Sequence, residues 1–192
     1  GHRNLFGRAE KLRIEGSLNG LGETSEAEDM TWRGAILFEK PGVLGPASKF
    51  TSKLEVEQED PDAYRRFSVE GAVGISYELT EQQTVSAGID VEYATLTDSF
   101  NVDLETITVA LPLEYVRDTR DNKLNPTTGT RLSLLVEPAY EINSGATFVK
   151  LHAEASAYRA LDAEKRFVAA GRIAAGSIYG ADLASIPANR RF

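Results

Sequence analysis

The sequence predicts an all-β protein whose strands run up and down in one antiparallel sheet, as in a transmembrane β-barrel. Segments of about ten residues alternate between apolar and polar side chains, and polar or Gly/Pro-rich breaks separate them. No stretch approaches the ~18 uncharged apolar residues that a membrane-spanning helix needs. A helical membrane protein is therefore excluded, and a sheet with one apolar face is favoured.

Nine segments carry the alternation, and the clearest spans residues 66–79. There Phe67, Val69 and Val73 share one face, whereas Arg66 and Glu70 lie on the other. One face can meet lipid while the other meets water. The nine predicted strands are 9–19, 30–39, 48–57, 66–79, 85–93, 107–115, 130–140, 147–158 and 166–179. The alternation is weaker outside residues 66–79, 85–93 and 107–115.

The connections alternate in character, which predicts how the strands are oriented. One set is polar, acidic and mostly longer: 20–29, 58–64, 94–103 and 141–145. The other set is mostly compact: 40–46, 80–83 and 161–165. Outer-membrane barrels have long extracellular loops and short periplasmic turns, so the first strand should run outward. Nine strands is an odd number, whereas single-chain bacterial barrels have an even number, which predicts a truncated barrel.

Composition narrows the class of protein further. The chain has no cysteine, which removes disulfides and thiolate metal sites and suits the periplasm and outer membrane, but also the cytosol. A formal charge of −8 without a basic stripe argues against a nucleic-acid partner. Residues 1–7 lack the apolar core of a secretory signal, and residues 186–192 end without a cap. Both ends predict a piece of a longer precursor.

A soluble fold is the main alternative, because short alternating strands with regular turns also occur in β-sandwiches and lipocalin-like barrels. The predicted strands reach about 14 residues, well beyond the usual ~5 to 6. Strand length therefore favours the membrane barrel.

The most specific motif lies between the sixth and seventh predicted strands, at residues 115–131. Asn125-Pro126 favours an extended-to-turn step, Gly129 permits a backbone conformation closed to other residues, and Asp118 or Asp121 can accept hydrogen bonds from amides or arginines. The residues of this turn motif are Arg117, Asp118, Arg120, Asp121, Asn125, Pro126, Gly129 and Arg131.

This segment resembles the periplasmic turn of the bacterial surface antigen family, the outer-membrane assembly factors of the TamA and BamA type. Residues 3–9, 38–44 and 166–172, with 186–192, are similar to further family motifs, so the resemblance covers the whole chain. Matched in order, it implies the third to the eleventh strand of a sixteen-stranded barrel, which is nine strands. The chain would then be a single incomplete barrel domain over residues 1–192.

The resemblance also implies what is missing. The family's Arg-Gly-Tyr/Phe loop motif, its first and last strands and its periplasmic POTRA repeats do not occur in this sequence. It implies a Gram-negative outer-membrane location, no enzymatic activity and no cofactor. The implied partners are outer-membrane lipids, client outer-membrane proteins and, through POTRA domains, a periplasmic or inner-membrane assembly factor. The implied role is to insert or export β-barrel or autotransporter proteins. A secretion pore or porin-like channel and a soluble β-sandwich binding module remain alternatives.

Charged residues on the polar faces of the strands are predicted to face a lumen. They are Glu70, Asp90, Glu92, Glu114, His152, Glu154 and Arg172. His152 could be catalytic in principle, but a lumen-facing polar residue is the preferred interpretation. Asp118, Asp121, Asn122 and Asn125 could suggest a cation site, yet their spacing does not fit a calcium loop. We therefore predict no catalytic, cofactor-binding or metal-binding residue.

Overall fold

The computed structural model describes residues 2–3, 7, 9–19, 31–59, 64–98 and 103–181, which form one antiparallel sheet. Its strands are β1 (His2–Arg3), β2 (Lys11–Asn19), β3 (Thr31–Pro41), β4 (Ser48–Glu59), β5 (Tyr64–Thr80), β6 (Gln83–Asp98), β7 (Asp103–Ala110), β8 (Leu113–Asp118), β9 (Gly129–Glu141), β10 (Thr147–Ala160) and β11 (Val168–Tyr179). Within this part of the chain, no helix has the length and hydropathy to cross a membrane.

The strands follow one another across the sheet in chain order, so the predicted all-β, up-and-down architecture is confirmed. The sixth predicted strand is divided: β7 and β8 share one position between β6 and β9. Pro112 causes the break because proline has no N–H to donate to the ladder. The chain still continues along the same path, since Pro112 O accepts the Gly88 N–H at 3.0 Å.

Several predicted strand boundaries were wrong, two of them for a clear structural reason. Residues 94–103 were expected to form a loop, but β6 continues to Asp98, where it still pairs with β5. The first long strand begins at Lys11 rather than Ala9, which has a φ of 61° and so leaves the extended conformation. The short β1, paired with β2, was not predicted. The motifs at residues 4–6 and 186–192 lie outside the described residues, as do the whole first acidic loop, 20–29, and residues 60–63 and 99–102.

The strand register sorts the side chains into two faces. The outer face carries a row of apolar residues that lie opposite one another from β2 to β7. This row is Ile14, Ile36, Leu54, Gly71, Val91 and Val109. The adjacent row, on the inner face, is Glu15, Ala35, Glu55, Glu70, Glu92, Thr108 and Glu141.

Burial is inverted relative to a soluble protein. Ile14 and Ile173 on the outer face are 67% and 72% exposed, whereas Glu92 and Thr108 on the inner face are 6% and 2% exposed. The described strands form one sheet, so inner-face burial arises from the curvature of that sheet rather than from a second layer. Two packed sheets do not occur in the described residues, and the β-sandwich alternative is therefore not supported.

The two ends of the sheet differ. We call the end with connections 42–47, 81–82, 119–128 and 161–167 the turn end, and the opposite end the loop end. The sheet is open, because β11 pairs only with β10 among the described residues. A small apolar cluster of Ala110, Ala139 and Phe148 lies on the inner face toward the loop end.

Candidate functional site: the charged inner face and the turn after β8

Acidic side chains from three adjacent strands lie opposite one another on the inner face. Glu55, Glu70 and Glu92 are in register across β4, β5 and β6. Like charges at opposed positions repel, so this row needs cations nearby. Arg33 Nη2 lies 2.5 Å from Glu55 Oε2, and Lys53 Nζ lies 2.7 Å from Glu70 Oε1. The row is thus stabilised by cations of the neighbouring strands.

Arg66 is the most enclosed of these cations. Its guanidinium lies 2.5 Å from Glu92 Oε1, and its other terminal nitrogen lies 3.7 Å from Glu57 and 3.6 Å from Glu59. The residue is only 9% exposed. Removing one side chain of such an ion pair leaves the other charge buried and uncompensated. Arg66 therefore holds β4, β5 and β6 in place relative to one another.

A second charged group connects β9, β10 and β11. Glu154 accepts a hydrogen bond from Arg172 Nη2 at 2.6 Å and lies 3.7 Å from Arg131 Nη1. Glu114 accepts a hydrogen bond from the Ser133 hydroxyl at 2.9 Å. His152 lies on the same face, opposite Leu135. This group ties the β11 edge to the rest of the sheet.

All the side chains predicted to face a lumen share the inner face by register. The structure brings Glu70, Asp90 and Glu92 together on β5 and β6, and Glu154 and Arg172 on β10 and β11. Whether an aqueous lumen lies over this face stays a prediction. No group of three His, Asp or Glu residues in the described ranges could hold a metal ion.

A groove of about 560 Å³ runs along the inner face. Gly74 and Gly88 lie opposite each other in its lining. A Cβ at Gly88 would lie 2.9 Å from Val73 O and 3.4 Å from the Pro112 ring, so the absence of a side chain there leaves room for Pro112, between β7 and β8. The rim carries Lys53, Asp90 and Glu114. The groove is therefore lined by both acidic and basic side chains, which do not form a recognisable catalytic arrangement.

The turn after β8 is organised by two aspartates. Asp118 receives Arg120 in a two-point contact, Nε to Oδ1 at 2.8 Å and Nη2 to Oδ2 at 2.7 Å. Asp121 accepts the Thr127 and Thr128 amides at 2.9 and 3.1 Å and the Thr127 hydroxyl at 2.5 Å. The second aspartate thus closes the turn on itself.

The other residues of the turn motif play separate parts. Asn122 Oδ1 accepts hydrogen bonds from the Leu124 and Asn125 amides at 2.8 and 3.0 Å. Gly129 has a φ of 104°, and a Cβ there would lie 2.3 Å from Thr119 O. Arg131 lies on the inner face near Glu154, whereas Arg117 lies on the outer face. The motif residues therefore do not converge on one site.

Asp121 also links two turns, because Lys165 Nζ of the 161–167 turn lies 3.1 Å from its Oδ2. The Thr127 hydroxyl, then the Thr127 and Thr128 amides and Lys165, hold the pKa of Asp121 well below its usual range. A lowered carboxyl pKa stabilises the fold above the unfolded-state pKa of ~3.9, and this contribution is lost as the pH falls further.

Asp121→Asn is expected to speed hydrogen exchange at the Thr127 and Thr128 amides, because the charge that orders them is gone. The difference from the wild type should hold from pH 8 to about 5 and shrink below about pH 4. Hydrogen exchange of the detergent-solubilised protein measures it. Glu164→Gln, an exposed charge in the neighbouring turn, is the control and should change neither amide. Equal protection in the Asp121→Asn variant at neutral pH would contradict the linkage.

One organising residue was missed from sequence. Glu141 is 2% exposed and accepts the amides of Ile107, Asn143 and Ser144 at 3.1, 3.0 and 2.6 Å. It fixes the β9–β10 connection to β7. The signal was a Glu two residues before an Asn-Ser-Gly turn, in a segment that the alternation pattern had counted only as a polar loop.

Comparison with protein families matches the model described as the Omp85 superfamily domain over residues 4–192. The chain belongs to the Omp85 superfamily. Comparison with curated protein sequences gives no match. The superfamily assignment confirms the resemblance to outer-membrane assembly factors of the surface antigen type. Members of the Omp85 superfamily are assembly and translocation factors of the Gram-negative outer membrane rather than enzymes, and they work with client outer-membrane proteins.

Proposed function

We propose that this Omp85 chain forms part of an outer-membrane β-barrel wall in a factor that inserts or exports β-barrel or autotransporter proteins. The observation that carries the proposal is the inverted burial of the sheet. Ile36, Ile89 and other outer-face residues are about half exposed, whereas Glu55 and Glu92 on the inner face are buried. An exposed apolar surface of this extent needs lipid against it.

The height of the apolar surface fits a bilayer. Along the outer face of β5, Phe67 lies toward the loop end and Tyr77 toward the turn end. At ~3.4 Å per residue and a strand tilt of ~40°, the two aromatic rings are separated by about 25 Å along the barrel axis. Tyr115 also lies at the turn end, opposite Leu134 on the outer face. These positions suit the aromatic girdles that border the apolar band of outer-membrane barrels.

In this proposal the chain supplies a stable wall, and it is one incomplete barrel domain over residues 1–192. Most of its strands are long, and within the described residues their pairing is in continuous register apart from a shift between Glu78 and Thr80 on β5. Ion pairs centred on Arg66 and Glu154 brace neighbouring strands. Client strands would pair with exposed strand edges by strand addition, outside this braced region. Contact with a periplasmic or inner-membrane partner would require POTRA repeats of the parent protein.

Reconstitution of the full-length protein tests this proposal against a secretion pore or porin-like channel. In phosphatidylcholine vesicles, an unfolded β-barrel client should become protease-resistant at least about tenfold faster than in empty vesicles, a change of ~1.4 kcal/mol in the barrier. Planar-bilayer conductance is recorded on the same preparation. Steady conductance without faster client folding would overturn the proposal in favour of a channel.

A further inference from the structure

Three basic side chains border the apolar outer face at the turn end. Each is the last residue but one of a strand that runs toward the turns: Lys40 in β3, Arg117 in β8 and Arg159 in β10. The register places them on the outer face, opposite Phe50, Leu132 and Ala169 respectively. We call these three residues the cationic collar.

The collar has no partner within the described residues, where none of its three side chains makes a hydrogen bond or ion pair. Arg117 and Arg159 are exposed, and Lys40 is partly exposed.

The nearby acids of the turns are already engaged. Asp118 is held by Arg120 and Asp121 by Lys165. Asp162 lies 3.4 Å from Arg166. The acids of these two turns therefore do not neutralise the collar, which leaves unpaired positive charge at the edge of an apolar surface.

The collar differs in charge and in face from two acidic strand ends at the loop end. At the loop end β4 ends at Glu59 and β9 ends at Glu141, and both acids lie on the inner face. At the turn end the outer face carries the collar. Exposed leucines in the adjoining turns, Leu44, Leu124 and Leu161, lie just beyond it. Unpaired cations between an apolar band and exposed apolar turn tips match the phosphate layer of a lipid leaflet.

We propose that the cationic collar binds the phosphate groups of anionic phospholipids in the leaflet at the turn end. The inference rests on the proposed membrane location of the outer face. The collar is interrupted at β5, where the equivalent position is Leu79, so no phosphate site forms there. Lipid phosphates bound at these three positions would set how deep the barrel wall lies in the bilayer.

The test uses the full-length protein in vesicles of phosphatidylcholine with one fifth phosphatidylglycerol. Spin-labelled phosphatidylglycerol and phosphatidylcholine report which lipid contacts the protein. The test variant is Lys40→Gln, Arg117→Gln and Arg159→Gln combined. Its control is Lys11→Gln, Arg13→Gln and Lys49→Gln combined, which removes the same charge from the inner face. A gain-of-function variant, Leu79→Lys, adds a cation at the fourth position.

Wild type should bind phosphatidylglycerol preferentially at 50 mM salt, by about fivefold at each collar position, and less at 500 mM salt. The collar variant should lose this preference, the inner-face control should keep it, and Leu79→Lys should increase it. Equal lipid preference in wild type and the collar variant would overturn the proposal. Insertion into vesicles of pure phosphatidylcholine is measured separately. If the wild type fails to insert there, the proposed membrane location is overturned, and the collar proposal that rests on it is overturned too.

Discussion

Replacing Ile89 with arginine is expected to prevent stable insertion of the protein into a bilayer. Ile89 lies on the outer face of β6, opposite Val73, and is 50% exposed. It lies midway between Val85, opposite Tyr77, and Tyr93, so it falls near the centre of the proposed apolar band. Arginine at the midplane on a lipid-facing strand costs ~2–4 kcal/mol. That cost is a large share of the stability of an ordinary domain.

Ser86→Arg is the matched control, because Ser86 lies on the same strand but on the inner face. It lines the groove and lies opposite Glu114, so an added guanidinium meets an acid rather than lipid. We expect a change within about 1 kcal/mol. Heat-modifiable electrophoretic mobility and urea unfolding in phosphatidylcholine vesicles measure both variants. If Ile89→Arg inserted as well as Ser86→Arg, the outer face would not be the lipid-facing one.

Side-chain alternation alone was enough to predict which residues share a face. Because neighbouring residues of a strand point to opposite sides, Glu70 and Val73 could be separated without knowing any partner strand. The alternation pattern does not predict the register, however, that is, which residues of neighbouring strands lie opposite each other. The pairing of Arg66 with Glu92, 26 residues apart, depends on how β5 and β6 align and could not be derived from either segment.

The errors at strand boundaries have the same physical origin. Polar residues such as Thr95 and Thr97 looked like a loop, but β6 continues through them because backbone pairing with β5 persists there. At Pro112 the error was the reverse. The apolar alternation continues through this position, so one strand was predicted, but proline lacks the amide donor that a continuous strand needs. Side-chain pattern reports the environment of a strand, whereas its length follows from backbone hydrogen bonds.

The turn after β8 was recognisable from sequence, but its internal chemistry was not. Asn-Pro and Gly129 indicated a fixed turn. That Asp121 would accept two backbone amides and also receive Lys165 from a different turn required the fold, because Lys165 is 44 residues away. Glu141 was missed for a similar reason, since one of its three amide donors belongs to β7.

Replacing Gly129 with alanine is expected to disrupt the β8–β9 connection more than any other alanine substitution in the turns. Gly129 has a φ of 104°, and a Cβ would lie 2.3 Å from Thr119 O and 2.7 Å from Arg120 Cα. Both obstacles are backbone atoms, so a side-chain rotation cannot relieve them. Backbone strain costs ~1–3 kcal/mol, and the clash adds to it, so we expect a loss of about 3 kcal/mol or more.

Gly145→Ala separates the clash from the strain. Gly145 has a φ of 72° in the β9–β10 connection, and a Cβ there would meet nothing within 4 Å. Only the conformational cost of a left-handed alanine remains, about 1 kcal/mol. Trp32, the single tryptophan, reports unfolding of both variants in detergent. A loss of stability at Gly129 no larger than at Gly145 would mean that β8 and β9 separate freely there, and that the crowding of Gly129 against Thr119 does not hold the turn.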